Sequence, residues 1–446
     1  MSNSPKTTKA PASSAHGAPL KTIAPWYRWE LLVLLFLAYF FHQSDRAIFG
    51  VVSNSIKSTF QVSDSILYMT RTVMFALMAL VVPLAGFLGD KINKRKLLIL
   101  CLFCWSFATI ATGMVHSVVG LIIFNSIGVS VAEAFYGPAS TSLIAAYHKE
   151  TRSIALSVHQ TAVYLSVIFC GGVAAAISQH YNWRCAFFAF GGVSIIIGIL
   201  LILRLKDPAK VQMADGSKLE IPKATEKPHV GEFLKMIFTN KSALLLTVGF
   251  TAIVFVNNAY LNVVSKFLQD KFGLSEASAG WNGMFWHHIA ALICIYIGGA
   301  ISDKFARSYP SVRPRLQFCA MTIGAPIVCL IGCVSTLWHV YALFFALGVC
   351  RGFYECNTHA SIFETVPVKY RSTTVGFMIM FAFLIGSWSS QLVGILHDTY
   401  GIQLGYRYGF FMLGSTWVIG ALCVGIAAFG TYKKDRERRL TTDNAA

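Results

Sequence analysis

Five ionisable residues stand inside long apolar runs of this chain: Asp45, Arg46, Glu133, Arg351 and Glu355. A charge at mid-bilayer costs at least about 2.5–3.5 kcal/mol, so each must be paired or must face water. Asp45 and Arg46 are adjacent, hence about 100° apart on a helix. One can face a cavity while the other braces a neighbouring helix. Arg46 is a candidate to bind an anionic group of a solute. Asp45 and Glu133 are candidates for protonation, since desolvation favours the neutral form of a carboxylate. The same three residues could instead serve as ion pairs that lock the N-terminal helices together. Arg351 and Glu355, spaced i, i+4, can pair along one helix face, and Glu355 is a third candidate to carry a proton.

Polar residues without charge extend the set. Asn257-Asn258-Ala259-Tyr260-Leu261-Asn262 is an unusually polar stretch for a lipid-facing helix. Amides at that depth need partners, and the hydroxyls of a sugar would supply them. His159, Gln160 and Tyr164 add a second group, with Gln160 and Tyr164 on one helix face. Ser387, Trp388 and Gln391 add a third, and Trp281, Asn282, Trp286, His287 and His288 a fourth, whose indoles could stack a sugar ring. Each is also suited to helix–helix adhesion. The expected solute contacts are Arg46, His159, Gln160, Tyr164, Asn257, Asn258, Trp286, His287, Arg351 and Gln391. Glu355 and His359 lie near this set, but no ligand spacing known for a metal occurs, so neither a metal nor a cofactor is expected.

The elements that must hold these residues follow from hydropathy. Of 446 residues, 55% are hydrophobic and 13% charged, against about 25% charged in a soluble domain. Lipid must therefore cover much of the surface. Runs of about 20 apolar residues suffice to cross a bilayer. They fall near 29–52, 66–89, 97–115, 118–146, 153–178 and 184–204, then near 242–266, 278–301, 316–335, 339–363, 372–396 and 406–431. The expected architecture is all-α and polytopic, with twelve transmembrane helices in two pseudo-symmetric six-helix bundles. The bundles occupy 28–205 and 241–432, joined by a linker at 206–240, with a disordered tail at 1–27 and another tail at 433–446. About 29 of the 37 basic residues fall on the tail-and-linker side, which the positive-inside rule makes cytoplasmic. This distribution, in short loops, also argues against nucleic-acid binding despite a net charge of +17. The eleven cysteines lie mostly in apolar stretches and read as small hydrophobes; Cys101-x-x-Cys104 has no second pair nearby.

The two halves repeat. Gly86-Phe87-Leu88-Gly89-Asp90-Lys91 is echoed by Gly299-Ala300-Ile301-Ser302-Asp303-Lys304. Likewise Lys149-Glu150-Thr151-Arg152-Ser153 is echoed by Val368-Lys369-Tyr370-Arg371-Ser372, and Trp183-Arg184 by Tyr406-Arg407. All three pairs keep their order at a separation of about 213 to 223 residues, the mark of bundles that rock about a central site.

Gly86-x-x-x-Asp90-Lys91-x-x-Lys94-Arg95-Lys96 resembles the signature loop of the major facilitator superfamily, with Lys for two of its arginines. The resemblance covers nearly the whole chain. It implies that Gly86, Asp90, Lys91, Lys94, Arg95 and the second copy at Asp303 latch the halves together on the cytoplasmic side. Ser44-Asp45-Arg46 and Ala132-Glu133-Ala134-Phe135-Tyr136-Gly137-Pro138-Ala139 look like the anion:cation symporter branch, which takes up sugar acids and other organic anions. Spinster-type lipid transporters carry similar pairs. The branch implies an Arg about eight residues before Glu133, and Asn125 occupies that place. Proton coupling is then wired differently, or absent.

The resulting expectation is a secondary transporter, and not an enzyme. It would move a small organic anion such as a sugar acid by alternating access, in symport with protons. The alternative is a spinster-like carrier of lipids or amphiphiles, or an uncoupled facilitator; a membrane enzyme or receptor is more distant, for want of any nucleophile–base constellation. Expected partners are the solute, protons and the lipid bilayer, for a functional monomer in a bacterial inner membrane with both termini cytoplasmic.

Overall fold

The computed structural model describes residues 21–89, 92–148, 151–212, 219, 230–306 and 308–444, with the backbone alone at 21, 86–89, 153, 209, 230 and 444. Among the described residues, twelve apolar stretches close into helices long enough to span a bilayer. Six precede the linker: Tyr27–Val51, Asp64–Gly89, Lys94–Met114, Val118–Tyr147, Arg152–His180 and Trp183–Arg204. Four follow it: Lys241–Phe272, Glu276–Ala306, Val312–Cys333 and Leu337–Phe363. The last two come from Arg371–Gly386 and Ser389–Ile426: a turn at 387–388 interrupts the eleventh span, and Gly401, whose φ of 75° admits no helical continuation, separates it from the twelfth. We number these spans one to twelve.

Local sequence sets where several begin. The side chains of Asn93, Asn182 and Asn240 accept hydrogen bonds from the first free backbone amides of the third, sixth and seventh spans. The fourth span is irregular: Ile122–Gly128 forms a π-helical segment within it, a distortion common at functional sites.

Packing repeats with the sequence. The first span packs on the fifth, the second and third on the fourth, and the third on the sixth. The C-terminal half copies each contact: seventh on eleventh, eighth and ninth on tenth, ninth on twelfth. Close approaches agree. A Cβ on Gly191 would meet Ile110 at 2.6 Å, and one on Gly414 would meet the equivalent Cys329 at 2.2 Å. The halves meet along the second and eleventh spans and along the fifth and eighth. These two seams are the same contact exchanged by the pseudo-twofold axis.

The first and last described segments both lie on the linker's face. Lys21–Thr22 pairs in parallel with Val211–Gln212, the one sheet among the described residues. Asp435 of the terminal helix Tyr432–Asn444 accepts from the backbone of Ser242 at 2.9 Å. Of the tail expected to be disordered over 1–27, residues 1–20 lie outside the described residues, and 21–27 pack on the bundle: Ile23 and Tyr27 are buried and the Tyr27 hydroxyl donates to the Arg204 carbonyl at 3.0 Å. The linker likewise contains a helix, Val230–Thr239, seated by buried Phe233 and Ile237.

Candidate functional site

Two ion pairs occupy the middle of the molecule, one in each half. In the N-terminal half Arg46 pairs with Glu133 of the fourth span; their side chains are 19% and 6% exposed. The guanidinium carbon lies 5.8 Å from the ring centre of Phe75 and 5.6 Å from that of Phe383, so Arg46 touches both halves at the second–eleventh seam. Asp45 turns the other way. It is 1% exposed and accepts a 2.6 Å hydrogen bond from Thr109 of the third span. The 100° offset between neighbours thus divides the two: Arg46 reaches the seam, while Asp45 braces a neighbouring helix.

In the C-terminal half Arg351 donates to Glu355 at 2.8 Å and to His287 Nε2 at 3.2 Å. Tyr260 stacks on His287 with ring centres 4.3 Å apart. The Tyr164 hydroxyl donates to Glu355 across the halves. A cavity of about 530 Å³ adjoins this cluster, walled by Gln160, Tyr164, Phe250, Glu355 and His359 among others. Its lining lies in the linker-side portions of the fifth, seventh, eighth and tenth spans.

The opposite face is shut by contacts between the halves. At the start of the second span Asp64, 1% exposed, is met by Lys57 at 2.9 Å, by Lys266 at 3.4 Å and by His397. Asp398 caps that span by accepting from the backbone of Asp64 and Ser65 at 3.0 and 2.9 Å. Asn54 donates to Gln269 and Asp270, and Ser55 and Ser178 donate to Glu276. Backbones touch here: a Cβ on Gly50 would lie 2.0 Å from the Leu261 carbonyl oxygen, and one on Gly394 would lie 2.9 Å from Asp64. Asp64, His397 and Asp398 bring three donor atoms within 4.8 Å. Ammonium groups already engage Asp64 and backbone amides engage Asp398, so these donors are not free for a metal ion.

The expected contacts divide accordingly. Gln160, Tyr164 and Glu355 line the cavity, with Arg351 and His287 directly behind them. His159 does not reach it: it is 1% exposed and stacked on Tyr39 at 4.5 Å. Trp286 stacks on Tyr341 at 5.9 Å and donates to Asn282, while Trp281 fills the space over Gly172. Both indoles are used in packing rather than offered to a ring. Asn258 and Asn262 join the seventh span to Ser390 of the eleventh. Asn257 and Gln391 each keep a buried carbonyl oxygen without a partner among the described residues. Of the latch residues, Asp90 and Lys91 lie outside the described residues, and Gly86 is described by its helical backbone alone. Arg95 donates to the Leu205 and Ile202 carbonyls, and Asp303 pairs with Arg313 at 2.7 Å. Buried Lys94 lies beside Arg95 in the N-terminal bundle. Among the described residues, these partners of Arg95 and Asp303 lie in their own halves.

Sequence reasoning missed Arg71, Asp64, Lys266, Asp270 and His397. Arg71 is 1% exposed in the second span, a lone cation in an apolar run. Lys266 and Asp270 were detectable as an i, i+4 pair, and they do bond.

Known proteins resemble the chain over most of its length. The Protein spinster of Drosophila melanogaster is 21% identical over 386 residues, 83% of this chain and 62% of its own length. The probable galactarate/D-glucarate transporter GudP of Bacillus subtilis (strain 168) is 20% identical over 333 residues, 66% of this chain and 71% of its own. A crystal structure of a bacterial homolog of the human lysosomal transporter Spinster, inward-facing and occupied, superposes with a TM-score of 0.75 at 20% identity, covering 93% of this chain and 99% of that one. The family model described as Major Facilitator Superfamily matches residues 35–390 and again 250–444. With twelve spans in two repeated bundles, the chain belongs to the Major Facilitator Superfamily and is a transporter.

Proposed function

We propose that this transporter carries a small organic anion, such as a sugar acid, together with a proton. One observation carries the reading: each half holds a mid-membrane arginine neutralised by a carboxylate of the chain itself, Arg46 with Glu133 and Arg351 with Glu355. An anionic solute can engage such an arginine only by displacing its carboxylate. A displaced carboxylate in a desolvated site is costly as an anion and takes up a proton. Solute binding and proton binding then become one event. Arg46 serves as the anion anchor and Glu133 as the displaced acid, with Asp45 and Glu355 as further proton sites. Gln160 and Tyr164, on the cavity wall, suit the hydroxyls of a sugar acid. The likeness to a relative described as a galactarate/D-glucarate transporter supports this class.

Alternating access follows from the two faces. The far face closes through Asp64 and its partners while the cavity lies toward the linker. The latch around Asp90 and Asp303 would form when the linker face closes. The excess of basic residues there supports a cytoplasmic linker and termini, as in a bacterial inner membrane.

A second reading, a carrier of amphiphiles with anionic heads, is favoured by Leu156, Phe250, Leu292 and Ile295 on the cavity wall, and by Tyr296, 53% exposed at the fifth–eighth seam. Counterflow in proteoliposomes decides between them, using sugar acids, neutral sugars and lysolipids with and without a pH gradient. Exchange of sugar acids accelerated by inward protons supports the first reading. Exchange of lysolipids alone establishes the second, and neutral sugars exchanged without protons would refute both.

A further inference from the structure

A buried arginine in a membrane span needs a reason, and Arg71 has none in the pairs described so far. It is 1% exposed. Its Nη2 donates to the Asp45 backbone carbonyl at 3.3 Å, its Nη1 approaches the Met74 sulfur at 2.8 Å, and its guanidinium lies 3.9 Å from the Phe49 ring centre. Nε has no partner, and among the described residues no carboxylate forms an ion pair with it. Its neighbour Asp45 is equally incomplete: Oδ2 is held by Thr109 while Oδ1 has no partner. Arg71 therefore bonds the backbone of the residue whose own carboxylate is buried and underused. Asn125 of the fourth span is 1% exposed with neither amide atom bonded, and brings no charge.

We propose that Arg71 is the positioning cation for Asp45: it fixes the first span at that residue and sets the pH at which Asp45 gains a proton. This rests on Asp45 being a proton site. The groups facing the pair are few. Asp45 is within electrostatic reach of Arg71 and Glu133, and Cys170 of the fifth span faces it; the third span contributes Thr109 and Trp105, which carry no charge. Arg71 is within reach of Asp45, Glu133 and Arg46. Glu133 is already matched by Arg46, so among the described residues Arg71 is the cation near Asp45 that has no ion pair with another carboxylate. Phe49 and Met74 hold the guanidinium without neutralising it, since a ring face and a thioether carry no charge. In water-poor surroundings that unspent charge acts across several ångströms.

The test reads Asp45 directly. Infrared difference spectra of the purified transporter in lipid, titrated with acid, contain a carboxylic C=O band that Asp45→Asn removes. In Arg71→Gln and Arg71→Met the midpoint of that band moves to higher pH by about one unit, and in Arg71→Lys it stays close to the parent. In the Asp45→Asn background, Arg71→Gln no longer alters the pH profile of uptake. A midpoint that stays put in Arg71→Gln overturns the proposal. If neither neutral variant accumulates, the charge-balanced double Asp45→Asn/Arg71→Gln decides. Recovery of folded protein supports the pairing, and continued failure makes Arg71 a structural strut and overturns it. Should the midpoint move in a transporter whose uptake ignores pH, proton coupling fails and this assignment stands.

Discussion

An arginine and a carboxylate that face each other inside a bundle separate only when something else meets each charge. Removing one partner of a buried pair costs about 3–5 kcal/mol, because the other is left uncompensated. Glu133→Gln keeps the shape of the pair and removes the carboxylate proposed to carry the proton. Proton-driven accumulation should be abolished while exchange of solute across a membrane without a gradient persists, as measured by uptake and counterflow in proteoliposomes. Uphill uptake retained by this variant would take Glu133 out of the coupling role. Arg46→Ala removes the proposed anion anchor. A lost charge-assisted hydrogen bond of about 1.5–3 kcal/mol predicts an anion affinity weaker by roughly 10–150-fold, and an unchanged binding isotherm would refute the anchor. That Asp45, Arg46 and Glu133 must be paired was legible, because a charge in an apolar run needs a partner or water; whether they bind solute or lock helices was not. The roles of His159 and Trp286 were not, because burial and stacking depend on which neighbour a helix face meets, and periodicity does not specify that neighbour.

Spans are written in the chain as lengths of apolar residues, so their number and nearly all their boundaries could be read from it. The seal on the far face could not. Asp64 and Lys266 fall at the edges of apolar runs, where they resemble ordinary flanking charges; only the approach of the second, seventh and eleventh spans buries them together. That approach depends on Gly50, whose missing side chain lets the first span touch the Leu261 carbonyl. Gly50→Ala should hold the two spans apart and favour the state open to the far face. Asp64→Asn should do the same by leaving Lys57, Lys266 and His397 without their shared anion. A shift of about 3 kcal/mol changes the ratio of the two states by roughly 150-fold. Cysteines placed in the cavity and labelled from either side report it: labelling from the linker face should fall and from the far face should rise. Unchanged labelling in both variants would mean that the far-face contacts are not what holds the transporter in this state.

At the scale of the whole molecule the two halves must exchange accessibility without dragging charge through a low-dielectric centre. The centre contains Arg46 against Glu133 and Arg351 against Glu355, each pair neutral. With a monoanion on Arg46 and a proton on Glu133, the loaded centre carries the same net charge as the empty one. Neither the loaded nor the empty transition then moves charge across the membrane, so one proton per monoanion makes the cycle electroneutral. Moving one uncompensated charge through 100 mV is worth about 2.3 kcal/mol, or roughly 50-fold in the gradient it can sustain. Uptake of a monoanion into proteoliposomes at fixed pH gradient, with the potential set by potassium and valinomycin, should therefore change less than about twofold between 0 and 100 mV of either sign. Accumulation that follows the imposed potential would show that a second proton travels, or that none does. In either case the exchange of Glu133 for substrate on Arg46 would not be the whole of the coupling.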